Sequence, residues 1–193
     1  MTRSNQKVSP KRYNSVAIIL HWLIALALLF MFVSGLYMVN ADLNKADQYQ
    51  LFQVHKGAGV LVLLSVLLRV FVRLTTRQPE SPAELSRQDK KLAKLGHIAL
   101  YIPMLTMPLS GWLMVSASPF GLPTIVFDWF QWPHLPWVER NKMIESLARN
   151  VHWYTALVFL SLMAVHIGAV FKHQMKDNIK LLPRMWWKKT NEN

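Results

Sequence analysis

VAIILHWLIALALLFMFVSGLYMV, Val16 to Val39, is a run of 24 residues without a charged side chain. A helix needs roughly 20 apolar residues to cross a hydrocarbon core, so this stretch predicts a transmembrane span. The run is too long for a signal-peptide core, and Gly35-Leu36-Tyr37 resembles no small-residue cleavage site, so it is expected to be retained. Working outward, His55 to Val72 predicts a second span, in which Lys56 and Arg69 must reach toward the two interfaces. Gly96 to Val115 predicts a third in spite of Pro103 and Pro108, because neighbouring helices can satisfy the carbonyls that proline frees. Val151 to Phe171 is again uncharged and carries His152 and His166; it is the fourth. The expected fold is therefore an all-α, integral membrane four-helix bundle forming one domain over residues 1–193.

Composition agrees with a membrane class: 52% of the 193 residues are hydrophobic, high for a soluble chain. There is no cysteine, which excludes disulfides, iron–sulfur clusters on thiolates, thiolate-ligated haem and haem attached through Cys-x-x-Cys-His. A formal charge of +12 would suit nucleic acid or an anionic surface, and its distribution decides between them. Of 22 Lys and Arg, 17 lie in the N-terminal tail, between Arg69 and Lys94, or from Lys172 onward. The other two connections hold Lys45, Lys56, Arg140, Lys142 and Arg149 against Asp42, Asp47, Asp128, Glu139 and Glu145. Cytoplasmic segments carry the positive excess. Both termini and the Arg69–Lys94 region are thus expected on the cytoplasmic side of a bacterial inner membrane, and the charge is topology, not nucleic-acid affinity.

The second outer connection, Ser116 to Asn150, contains Trp129, Trp132 and Trp137 among prolines. Tryptophans of this kind anchor at the headgroup level; the alternative is a lid over a site. Met143, Ile144, Leu147 and Val151 recur at helical spacing and predict a short interfacial helix leading into the fourth span. No internal repeat is evident beyond His-Trp at 21–22 and 152–153.

Ionisable side chains inside a span are costly, and each calls for a partner. His21 enters the first span from the inner side and His166 leaves the fourth toward it; both lie roughly 8 Å deep at 1.5 Å per residue. His55 and His152 each open a span on the outer side. The 14 residues between His152 and His166 leave them about 40° from facing the same way and about 21 Å apart along the helix. Two depth-matched pairs follow: His21 with His166 inside, His55 with His152 outside. A lone intramembrane histidine is more often a hydrogen-bonded packing residue, but two matched pairs argue against that. A proton relay would bring Asp or Glu, and the four spans hold neither. Di-iron bundles need inward carboxylates, and a zinc protease needs His-Glu-x-x-His. Two haem b groups with bis-histidine axial ligation account best for the pattern.

His97, at the inner start of the third span, either donates to a haem propionate or lipid phosphate or takes part in quinone binding. His173 could replace His166 seven residues away, but its flanking lysines place it at the headgroups. Arg69 and Arg73, one turn apart, either pair with inner-haem propionates or anchor the inner leaflet. His134 reads as a solvated surface residue. Gly35, Gly57, Gly59, Gly111 and Gly168 would admit a porphyrin or a neighbouring helix closely.

From Tyr13 to about Arg184 the chain resembles the bacterial cytochrome b561 family. The residues that carry the likeness are Ile19-Leu20-His21-Trp22-Leu23, Val54-His55-Lys56-Gly57-Ala58-Gly59, Arg69 with Arg73, Gly96-His97-Ile98-Ala99-Leu100-Tyr101, Ser110-Gly111, His152-Trp153 and Val165-His166. The resemblance implies small four-helix dihaem cytochromes of the inner membrane, with haem ligands at His21, His55, His152 and His166. It also implies exchange with the quinone pool, a superoxide-oxidising member type, and related subunits that anchor respiratory enzymes through a protein redox partner. Outer-side cations for superoxide are offset here by nearby acids. The rival class is a histidine-dependent proton or metal transporter.

Overall fold

The structure is a computed structural model, and it describes residues 12–187. Four long helices dominate: α1 Ser15–Asn40, α2 Lys45–Thr75, α3 Arg87–Ala117 and α4 Lys142–Phe171. All are long and apolar enough to cross a membrane, as a four-helix membrane bundle requires. Each begins at a side chain that accepts from the otherwise unpaired amides of the first turn. Asn14 accepts from Ala17 N, Asn44 from Ala46 N and Asp47 N, and Asn141 from Met143 N and Ile144 N. Ser86 accepts from Asp89 N at 3.0 Å and donates to the Asp89 carboxylate at 2.6 Å, a reciprocal cap.

The helices outrun the charge-free stretches. α2 starts ten residues before His55, and α3 nine before Gly96. The added turns are polar and rest on their caps, not on lipid. The helix foreseen over 138–150 is not separate: after Asn141 it forms the first turns of α4 itself. An unforeseen two-stranded antiparallel hairpin, β1 Thr124–Val126 and β2 Phe130–Trp132, interrupts the 118–141 connection. Phe127 and Asp128, with φ of 48° and 60°, take the left-handed conformations its tight turn requires.

Two helical hairpins make the bundle, α1 against α2 and α3 against α4, joined along α2 and α3. Ile24 of α1, Val62 and Val66 of α2, Met104 of α3 and Phe159 of α4 form one buried cluster. Phe159 is 1% exposed and meets Phe32 edge-on at 5.8 Å between centroids. Most other large apolar side chains face outward, as expected where lipid is the solvent. One end of the bundle brings the first and last described residues together: Tyr13 N donates to Arg184 O, Trp22 Nε1 to Met185 O and Arg12 to Trp187 O. Arg184 also donates to the Glu80 carbonyl in the α2–α3 connection. This is the tail end. The β-hairpin caps the opposite end, which is the hairpin end.

Candidate haem sites at the two ends of the bundle

At the hairpin end, His55 opens the apolar part of α2 and His152 that of α4, both half-buried and close enough to interact electrostatically. Each finds a serine on the preceding helix. Ser34 Oγ lies 2.9 Å from His55 Nδ1 and donates to Met31 O at 3.2 Å. Ser110 Oγ lies 3.1 Å from His152 Nδ1 and donates to Met107 O at 2.9 Å. His152 Nδ1 also lies 3.0 Å from Met107 O, and a carbonyl only accepts. His152 therefore carries its proton on Nδ1, which leaves Nε2 with the lone pair an iron ion needs, and the Ser34 hydroxyl, with Met31 O as its own acceptor, can receive the same proton from His55. Gly35 and Gly111 follow the two serines. A Cβ on Gly35 would stand 3.4 Å from His55 Cε1, and one on Gly111 3.3 Å from His152 Cε1. These glycines admit the neighbouring ring, a sharper role than general closeness.

The hairpin is tied to this end through α2. Lys56 Nζ donates to Pro123 O at 2.7 Å, Gln53 Nε2 to the same carbonyl at 3.0 Å, and Ile125 N to Gln53 Oε1. Gly57 is buried under Ile125. Lys56 thus reaches out of the bundle, as its charge demands, but to a loop carbonyl. Trp129 and Trp137 are exposed, as interfacial anchors are, whereas Trp132 is half-buried against Trp112 at 5.4 Å. His134 is half-buried with Nε2 enclosed and unpaired among the described residues. That corrects its reading as a solvated surface residue: Leu135 N bonds Ser116 Oγ, and Trp112 Nε1 bonds Pro133 O, which folds this stretch onto α3.

At the tail end, His21, His97 and His166 come together with Arg69. His97 and His166 meet edge-on at 5.7 Å, and His21 lies within electrostatic reach of both. Arg69 donates to Ala17 O at 3.1 Å and to His21 Nδ1 at 3.3 Å. Arg73 stacks over the Tyr101 ring at 5.6 Å. His173 bonds Asp177 at 2.7 Å, which engages it apart from this group. Guanidinium only donates, so here His21 Nδ1 accepts and the polarity is opposite to that at the hairpin end. Ser34, which the sequence reading passed over, and Ser110, which it noted only within a motif, are the functional additions. A Ser-Gly step at matching depth opposite each outer histidine was the available signal.

The hairpin end supplies one histidine pair, and the tail end supplies His21 and His166 with His97 beside His166. Among the described residues no three His, Asp or Glu side chains converge as a non-haem metal ion would need, whereas a bis-histidine haem takes two. The residues present therefore fit haem.

The prokaryotic cytochrome b561 family model matches residues 12–188. Cytochrome b561 homolog 2 of Escherichia coli is 28% identical over 184 residues, 95% of this chain and 96% of that protein. Cytochrome b561 homolog 1 of the same organism is 28% identical over 180 residues, covering 90% and 98%. A protein named probable superoxide oxidase CybB, from Yersinia pestis, is 21% identical over 178 residues, covering 90% and 97%.

Proposed function

The chain belongs to the prokaryotic cytochrome b561 family, membrane electron-transfer proteins that bind b-type haem, and on that premise we propose that it carries electrons through two bis-histidine haem b groups. His55 and His152 would hold one at the hairpin end, and His21 and His166 the other at the tail end. Residues 1–193 form one transmembrane domain in this reading, with both termini and the tail end cytoplasmic in a bacterial inner membrane. The observation that supports it is the placement of His152 and His166 at the two ends of α4, facing His55 and His21, with the His152 Nδ1 proton held by the Met107 carbonyl so that Nε2 is left free.

Bound haem supplies one-electron chemistry between ferric and ferrous iron, with no open coordination position when two histidines hold it. The protein's part is to orient the imidazoles, keep the region between the sites dry and hold the charges around them. The buried cluster centred on Phe159 serves the second task. At the tail end His21 can offer Nε2 only with its proton on Nδ1, which requires Arg69 to turn away. Arg69 and Arg73 are then the cations for the propionates. His97, beside His166, suits proton exchange with a quinone at this end.

Purified protein should show a reducible b-type visible spectrum and two haems per chain. His152→Ala and His55→Ala should each lose the outer haem, and His21→Ala and His166→Ala the inner one. Two haems retained in all four variants would refute the assignment. A histidine-dependent transporter would show no haem spectrum.

A second reading, superoxide as electron donor, is favoured by one feature of the hairpin end. Lys56 is bonded to the neutral Pro123 carbonyl and, among the described residues, forms no ion pair, so its charge stays available to attract an anion. Arg149, by contrast, is paired with Glu145. Stopped-flow reduction of the haems by superoxide, compared with reduction by quinol, tests the donor. If neither reacts, a protein redox partner is the donor, as for an anchor subunit.

A further inference from the structure

Two buried hydroxyls at the hairpin end do more than satisfy themselves. Ser34 is 5% exposed and Ser110 6%, and a buried hydroxyl in a helix commonly bonds back to a carbonyl one turn earlier. Both do so, to Met31 O and Met107 O. With the hydroxyl proton held in that bond, the oxygen accepts and Nδ1–H donates in the contacts with His55 and His152, the direction that the Met107 carbonyl requires of His152. Ser161 shows that back-bonding alone needs no histidine: it donates to Leu157 O at 3.0 Å on an exposed face of α4.

We propose that Ser34 and Ser110 are positioning residues for the outer haem ligands, each fixing the tautomer of the facing histidine and making its imidazole more electron-donating. The proposal rests on the reading that His55 and His152 hold a haem. The Ser-Gly step works as a seat: the hydroxyl takes Nδ1–H, and the absent Cβ of Gly35 or Gly111 leaves room for Cε1 at 3.4 and 3.3 Å. The same seat occurs once in each helical hairpin, on α1 for His55 and on α3 for His152. A hydrogen bond from the outer nitrogen of a ligating histidine raises the ligand's basicity. A more basic ligand favours ferric over ferrous iron and lowers the outer site's potential. Among the described residues no serine plays this part at the tail end, where Arg69 donates to His21.

The test uses the full-length holoprotein in detergent, with haem content per chain, an optical redox titration and the low-temperature EPR signal of the ferric haems. Ser34→Val and Ser34→Thr are compared because they differ by the hydroxyl at equal size; Ser110→Val and Ser110→Thr follow, with Ser161→Ala as control. Loss of an outer-shell partner of this kind weakens binding about 10- to 100-fold. If ferric haem loses tenfold more affinity than ferrous, the outer midpoint rises by about 59 mV. The expected result is a rise in Ser34→Val, recovery in Ser34→Thr, and an unchanged inner midpoint. Ser110→Val should rise less, because His152 keeps Met107 O as an acceptor, whereas no second acceptor for His55 is found among the described residues.

If Ser34→Val sheds the outer haem altogether, retention by Ser34→Thr carries the same conclusion. Thr and Val variants behaving alike in both haem content and outer midpoint overturn the proposal, as does an equal shift of both haems. Failure of the underlying reading looks different: His55→Ala and His152→Ala would then keep both haems.

Discussion

Phe159 is the side chain whose removal should be felt at both haem sites at once. It lies seven residues from His152 and seven from His166, on the helix shared by both pairs, and only 1% of it is exposed. Phe159→Ala in water would forfeit transfer free energy as well as packing, but lipid is as apolar as the core, so the transfer part shrinks in a membrane. The cavity remains. A void of about 100 Å³ at about 24 cal/mol per Å³ is worth about 2.4 kcal/mol. The edge-on contact with Phe32 adds about 0.5–1.5 kcal/mol, for a total of about 3–4 kcal/mol. That is two to three orders of magnitude in the folding equilibrium constant at about 1.4 kcal/mol per tenfold. Unfolding in mixed micelles of rising SDS content, followed through the Soret bands, measures it. Both haems should be released together and earlier. A loss below about 1 kcal/mol would refute the packing argument, and release of one haem with the other unaffected would refute its central placement.

Gly111→Ala puts a Cβ 3.3 Å from the His152 ring and should deplete the outer haem, with Gly35→Ala, at 3.4 Å, doing so less. Haem quantitation on the two variants checks this, and both haems intact in Gly111→Ala would contradict the seat. The chain has no cysteine, so single cysteines placed at Ser81 and Trp129 can report topology directly. A membrane-impermeant maleimide added to intact cells should label Trp129→Cys and spare Ser81→Cys, and the reverse pattern would invert the proposed orientation.

How far the sequence discloses this arrangement depends on the range over which each signal acts. Four spans follow from long charge-free runs, which are local. The caps are local too, yet Asn44, Ser86 and Asn141 lie outside those runs, so reading apolar length alone truncates α2, α3 and α4. Depth along a helix also follows from counting, which is why His21, His55, His152 and His166 emerge as pairs. Neighbour relations do not follow from counting. Ser34 meets His55 across 21 residues and Ser110 meets His152 across 42, and only the glycine that follows each of them distinguishes these serines in sequence from Ser161. The β-hairpin escapes because its strands are three residues each and their partner is α2, not each other alone. His134 escapes because its enclosure depends on Ser116 and Trp112, a helix away.

The unequal spacings also hide an internal likeness. In each helical hairpin the first helix carries a Ser-Gly step and the second carries a histidine bonded to it. The α1–α2 connection is four residues, Ala41 to Asn44, whereas the α3–α4 connection runs from Ser118 to Asn141 and includes β1 and β2. The inserted hairpin turns back over α2, where Gln53, Lys56 and Gly57 receive it, so the long connection of one helical hairpin closes over the histidine of the other. Alignment by sequence period would need equal connectors and finds none. Alignment by hydrogen bond needs only that a serine hydroxyl within reach of a carbonyl one turn back face an imidazole, and that condition is met twice at the same end of the bundle.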